Sequence, residues 1–172
     1  VEKMGGTITF ESEKGVGTTF VIRVPFKIDM EADQRKEQEN VSEKSIKGLH
    51  ILLAEDNELN MEIAEFLLQN EGAEVTKAWN GQEAVELFKK SEPGEFDVIL
   101  MDIMMPVMNG YEAAKRIRSL DREDAKKIPI IAMTANAFTE DRIRAKEAGM
   151  DEHIAKPVDV ELLVKVIHKL VG

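Results

Sequence analysis

The sequence predicts an α/β fold, a five-stranded parallel sheet with helices on both faces, and three observations predict it. Past Gly48, short apolar runs alternate with longer amphipathic ones, the pattern of βα repeats around a parallel sheet. Four of the short runs lead directly into acidic, hydroxyl or basic residues, at the ends where open α/β sheets hold ligands. The 172 residues, 43% hydrophobic and 33% charged, suffice for one packed interior of ordinary size plus an appendage.

The appendage comes first. Thr7 to Phe10 and Thr18 to Val24 are β-branched, apolar-rich runs separated by ESEKGVG, which predicts a hairpin, and Gly5-Gly6 reads as the end of a preceding helix. A lone hairpin is marginal in water and needs something to pack on. Residues 27–47 mix both charge signs with few apolar residues and no Gly or Pro, and are expected to form a linker. Strands are then predicted over 50–54, 74–78, 96–101, 129–133 and 152–155. Apolar residues at helical spacing predict helices over 61–68, 82–88, 111–117, 141–148 and 159–170.

Residues 48–172 hold 15 basic and 24 acidic side chains, against 8 and 9 in residues 1–47. A net charge of -10 disfavours contact with nucleic-acid phosphates and suits a divalent cation or a basic partner surface. With no cysteine there is neither a disulfide framework nor a thiolate metal site. No apolar run approaches the roughly 18 to 20 residues that cross a bilayer, and the amino end lacks a secretion signal, so the segment is expected to be cytoplasmic without membrane contact.

The candidate chemistry lies at the strand ends: Glu55-Asp56 after the first, Asp102 after the third, Thr134-Ala135 after the fourth and Lys156-Pro157 after the fifth. Carboxylates converging in one crevice repel by about 4 kcal/mol per close pair at an effective dielectric of roughly 20, so they call for a cation or raised pKa values. An oxygen-rich set free of thiol and imidazole suits Mg²⁺. Taken singly, each residue has a plainer reading, since acidic pairs cap helices, lone lysines are solvated, prolines open helices and methionines fill gaps. Their joint occurrence at four strand ends points to a site. Gly110 is expected to permit a tight turn before the third helix.

The stretches ILLAEDNELN, VILMDIMMPVMNGYEA, PIIAMTANA and AGMDEHIAKP jointly resemble the receiver domains of two-component signalling across residues 48–172. That resemblance implies a flavodoxin-like (βα)5 fold with Asp102 as the phosphorylation site. It also implies Asp56 and Asp102 as direct ligands of Mg²⁺, Glu55 acting through the metal's waters, and the Met104 carbonyl completing the set. Lys156 and Thr134 would stabilise the phosphoryl group, Lys156-Pro157 would be cis, and Thr134 would form a switch with His153, where receivers commonly carry Tyr or Phe.

Residues 1–26, VEKMGGTITFESEKGVGTTFVIRVPF, resemble the carboxyl end of a histidine kinase ATP-binding domain, which implies a piece of a hybrid histidine kinase. DNELN, with Asn57 and Asn60, and MTANAF share that flavour. The implied partner is the kinase core or a histidine phosphotransfer domain, docked on the first helix over 60–69. No DxGxG, GxGLGL or asparagine-bearing helix for Mg-ATP is present, and His50, His153 and His168 fall in two strands and the last helix. The chain is therefore expected only to phosphorylate and dephosphorylate itself. A haloacid dehalogenase-type hydrolase would need a DxD after the first strand, where this chain has Glu55-Asp56-Asn57. A scaffold without chemistry would have no use for Asp102, Thr134 and Lys156 together.

Overall fold

Alternating β-branched and apolar residues pair Thr7–Glu13 (β1) with Gly17–Arg23 (β2) as an antiparallel hairpin. The computed structural model that shows this describes residues 5–15, 17–25, 45–135 and 139–171, in two compact units, Val1–Glu43 and Lys44–Gly172. Phe10 lies opposite Phe20 with ring centroids 5.9 Å apart, Ile8 lies opposite Ile22, and all four side chains are exposed. The connection is tighter than ESEKGVG suggested, because the strands run to Glu13 and restart at Gly17. The helix expected before Gly5 and most of the 27–47 linker lie outside the described residues.

The last linker residues do not behave as one. The second unit begins at Lys44, ahead of the boundary expected at Gly48, and Ile46 is fully buried in its core. There the predicted parallel sheet forms from His50–Ala54 (β3), Glu74–Ala78 (β4), Val98–Asp102 (β5), Ile130–Thr134 (β6) and Glu152–Ala155 (β7), in the order β4-β3-β5-β6-β7. The helices are Glu58–Asn70 (α1), Gly81–Lys90 (α2), Gly110–Arg118 (α3), Thr139–Glu147 (α4) and Val160–Val171 (α5). A 3-10 turn, Asp124–Lys126, precedes β6.

Both faces of the sheet are covered, which is why β3, β5 and β6 are apolar at consecutive positions rather than at every second one, His50, Asp102 and Thr134 at the strand ends excepted. Leu52, Ile99, Met101 and Ile130 pack with Phe88 of α2, Ile117 of α3 and Ala145 of α4. Ile51, Leu53, Leu100 and Met133 pack with Met61 and Leu68 of α1 and with Leu163 and Ile167 of α5. Each such Leu or Ile contributes on the order of 1.5–3 kcal/mol by its burial.

The first four helices begin earlier than apolar spacing indicated, because spacing registers only buried positions, while the last begins at Val160, one residue later than expected. Asn57, Asn80 and Asn109 each cap a helix by accepting from the backbone N–H three residues on, of Asn60, Glu83 and Glu112, at 3.0, 2.9 and 2.9 Å. Such caps stabilise by about 1 kcal/mol apiece. β5 likewise extends one residue further than expected, so Asp102 is itself a strand residue, while Phe96 leaves the strand and packs on His50 at 4.8 Å.

Gly110 corrects another expectation. It has no positive φ; instead a Cβ there would fall on the backbone carbonyl of Asp102 and lie 3.0 Å from the Ile103 Cα. The position demands close approach of α3 to the end of β5, not a special turn.

At the opposite end of the sheet Arg122 ties two loops together. Its guanidinium donates to the carbonyls of Phe88, Ser91 and Glu92, lies 4.5 Å from the Phe88 ring centroid, and pairs with both oxygens of Asp124 at 2.8 and 2.6 Å. The hydrogen bonds from Arg122, set against partial burial, hold the Asp124 carboxyl at about 2, below its usual 3.8. A depressed carboxyl stabilises the fold above its unfolded pKa and stops doing so as pH falls through the folded one. Arg122→Ala is therefore expected to lose about 2–3 kcal/mol in denaturant unfolding at neutral pH. The variant should also show a flatter loss of stability between about pH 4 and pH 2 than the parent, and parallel acid limbs would reject this account.

Candidate functional site

After β3 the chain crosses outward to β4 and then returns to lay β5 on the other side of β3, which opens a crevice at the carboxyl ends of these two strands. Parallel register fixes what faces it. Ala54 pairs with Met101, so Glu55 and Asp56 emerge beside Asp102; Asp102 pairs with Met133, and Thr134 with Ala155, which brings Lys156 to the same edge.

Carboxylate oxygens of Glu55, Asp56 and Asp102 all lie within 4.8 Å of one another. Glu55 and Asp102 are buried, 2% and 5% exposed, whereas Asp56 faces solvent. Lys156 reaches between the buried pair, its Nζ donating to Glu55 Oε2 at 2.5 Å and to Asp102 Oδ2 at 2.8 Å. Burial pushes the Asp102 carboxyl above its usual value, opposed by the hydrogen bond and charge of Lys156 and reinforced by the charge of Glu55. Burial alone would lower Lys156, but its bonds to Asp102 and Glu55 more than reverse that, and it is held above its ordinary value. One ammonium among three carboxylates leaves an excess of negative charge, and the all-oxygen donor set fits a hard divalent cation such as Mg²⁺.

The remaining predicted residues fall around this group. Thr134 is buried at the end of β6, and its carbonyl accepts from the Lys156 N–H at 2.8 Å. Met104 contributes its backbone N–H to Asp102 Oδ1 at 3.2 Å, while its side chain is exposed. His153 is half-buried on β7 opposite Ala132, two pairs before Thr134, and strand alternation puts it on the same face of the sheet as Thr134. Its Nδ1 is 3.9 Å from Glu152 Oε2. The Lys156-Pro157 bond is cis. In the loop after Asp102, Val107 adopts φ 66°, a strained value for a β-branched residue, where Met108 N–H closes a three-residue turn on the Pro106 carbonyl at 2.7 Å.

Sequence reasoning gave Asn60 no place in the site, although DNELN contained it. Its Nδ2 donates to Glu55 Oε1 at 3.0 Å.

Comparison with known proteins agrees with this geometry. A family model described as the response regulator receiver domain matches residues 51–168. The chain is 35% identical over 170 residues to the aerobic respiration control sensor protein ArcB of Escherichia coli (strain K12), covering 98% of this chain and 21% of that protein. It thus spans about a fifth of that curated relative's length. Among solved structures, it resembles the receiver domain of sensor histidine kinase PA1611 from Pseudomonas aeruginosa PAO1, which has a magnesium ion coordinated in its active site cleft. Identity is 38% and the TM-score 0.66, over 73% of this chain and 98% of that one. A further likeness is to the co-crystal structure of the Saccharomyces cerevisiae histidine phosphotransfer protein Ypd1 with the receiver domain of its downstream response regulator Ssk1. There identity is 32% and the TM-score 0.66, over 73% of this chain and 90% of that one.

Proposed function

Since this chain belongs to the response regulator receiver domain family, modules of two-component phosphorelays, we propose that Asp102 accepts a phosphoryl group from a phosphohistidine. The observation that carries this reading is the Asp102 carboxylate at the end of β5, 2.8 Å from Lys156 Nζ and clustered with Glu55 and Asp56. The match to ArcB runs through both compact units, which supports placing the chain within a hybrid sensor histidine kinase.

In the transfer, an Asp102 carboxylate oxygen attacks phosphorus and a P–O bond forms. The P–N bond of the donor breaks, leaving its electron pair on the imidazole nitrogen. Little covalent chemistry is asked of the protein beyond alignment and charge neutralisation. Lys156, already beside Asp102, offsets the charge brought in by the phosphoryl oxygens, and Thr134 donates its hydroxyl to one of them. Glu55, Asp56, Asp102 and the Met104 carbonyl would hold Mg²⁺, which when bound supplies further positive charge to the transferred group. The phosphorylated site then biases Thr134 and, along the same face of the sheet, His153.

Leu59, Ile63 and Phe66 form an exposed apolar stripe on α1, 64%, 49% and 68% exposed, at helical spacing beside the crevice. We assign this stripe to a histidine phosphotransfer domain, and the likeness to the Ypd1–Ssk1 receiver complex supports that choice of partner. Treatment with acetyl phosphate and Mg²⁺ is expected to add the mass of one phosphoryl group, and chelation to prevent it; an unchanged mass would reject the phosphoacceptor reading. Phe66→Ser should slow transfer from a phosphorylated phosphotransfer domain by roughly tenfold and leave acetyl phosphate labelling intact. Equal slowing of both reactions would count against docking on α1.

A further inference from the structure

We infer that Asn60 is a positioning residue, whose side-chain amide holds the Glu55 carboxylate in place for cation binding. Glu55 is 2% exposed, and its two oxygens are gripped from opposite sides. Lys156 takes Oε2 at 2.5 Å from the end of β7, while Oε1 accepts from Asn60 Nδ2 at 3.0 Å on the first turn of α1. Among the described residues the only other bond to Oε1 is a long one, 3.4 Å from the Asn57 N–H. Without the amide, nothing of comparable length opposes the pull of Lys156. The three-torsion side chain then has other rotamers open to it, away from Asp56 and Asp102.

The two asparagines of DNELN thus divide two tasks. Asn57 caps the helix, its Oδ1 accepting from the Asn60 N–H at 3.0 Å, so the Asn60 side chain has no capping duty. Asn is also a poorer helix former than Ala, because its amide competes for backbone partners. A residue at this position that served only the helix would be improved by alanine. Loss of metal affinity without loss of stability is therefore the signature that separates positioning from support, and partners behind a ligand set commonly alter affinity by about 10- to 100-fold.

The inference rests on the cation reading of the same cluster, and the test separates the two. Unphosphorylated wild type, Asn60→Ala, Glu55→Gln and the double variant are titrated with MgCl2, followed by the amide NMR shifts of Asp56 and Ile103, with metal-free thermal unfolding alongside. Asn60→Ala is expected to weaken Mg²⁺ binding by about tenfold or more while keeping or raising Tm. In the Glu55→Gln background it should change binding by less than about twofold, because it acts through Glu55. Wild-type affinity in Asn60→Ala, or an equal loss in both backgrounds, overturns the positioning role alone. A wild-type protein that takes up no Mg²⁺ overturns the cation reading and this inference with it.

Discussion

Asp102→Asn is expected to abolish phosphorylation while leaving the fold intact or slightly stabilised. The substitution keeps the shape of a side chain that is 5% exposed and packed at the end of β5, and removes only the attacking oxygen and its charge. Burial, with Glu55 adding to it, holds the Asp102 carboxyl above its usual pKa even against Lys156. A group with a raised folded pKa favours the folded state less as pH rises through its unfolded value, so at neutral pH the ionised carboxylate is a stress on the fold. Its neutral isostere relieves that stress and leaves Lys156 paired with Glu55 alone. Intact mass after acetyl phosphate treatment should show no phosphoryl group on the variant, and its denaturant midpoint should not fall. Acid-labile phosphate on Asp102→Asn would sink the assignment; a large fall in midpoint would reject the electrostatic account.

Gly110→Ala should act in the opposite sense, disrupting both fold and site. Its Cβ would collide with the Asp102 carbonyl and crowd the Ile103 Cα, which are buried backbone atoms at the end of a central strand and not the yielding end of a side chain. Relief requires α3 to move away from β5, unpacking Ala113, Ala114 and Ile117, or the end of β5 to shift and carry the Asp102 carboxylate with it. Overpacking of this kind typically costs about 1–3 kcal/mol, and a clash with fixed backbone belongs at or above the upper end. We expect a loss of at least about 3 kcal/mol in denaturant unfolding, with phosphorylation slowed even in the fraction that remains folded. A variant of parental stability would show that α3 has slack the structure does not reveal.

Gly110 also marks where sequence reading reached its limit. A glycine needed for a left-handed backbone and one needed for close approach look identical in a sequence, and only the neighbouring carbonyl distinguishes them. The sheet, its five strands and the residues at its carboxyl edge were legible because short apolar runs and the polar residues that end them are local signals. The gathering of Glu55, Asp56, Asp102 and Lys156 was legible for the same reason. Ile46 was not, since one apolar residue in SEKSIK carries no periodicity, and its burial depends on surfaces contributed by distant strands and helices. Arg122 escaped for a similar reason: its partners at Phe88, Ser91 and Glu92 lie about 30 residues upstream. Asn60 was visible as part of a motif, but its bond to Glu55 appears only once the first turn of α1 has folded back on the end of β3.

The strand order β4-β3-β5-β6-β7 has a consequence for how the protein opens. Glu55 and Lys156, joined directly in the crevice, are 101 residues apart in the chain, and Asp102 lies between them on a strand separated from β3 by α1, β4 and α2. No hairpin or single βα unit contains more than part of the cluster. Contacts of such sequence separation close long loops, and they cannot persist in a partly unfolded molecule that has released β5 or β7. Slow amide exchange at the end of β5 would therefore report the same cooperative opening that dissolves the cluster. In this architecture an intact site attests that the sheet between β3 and β7 is closed.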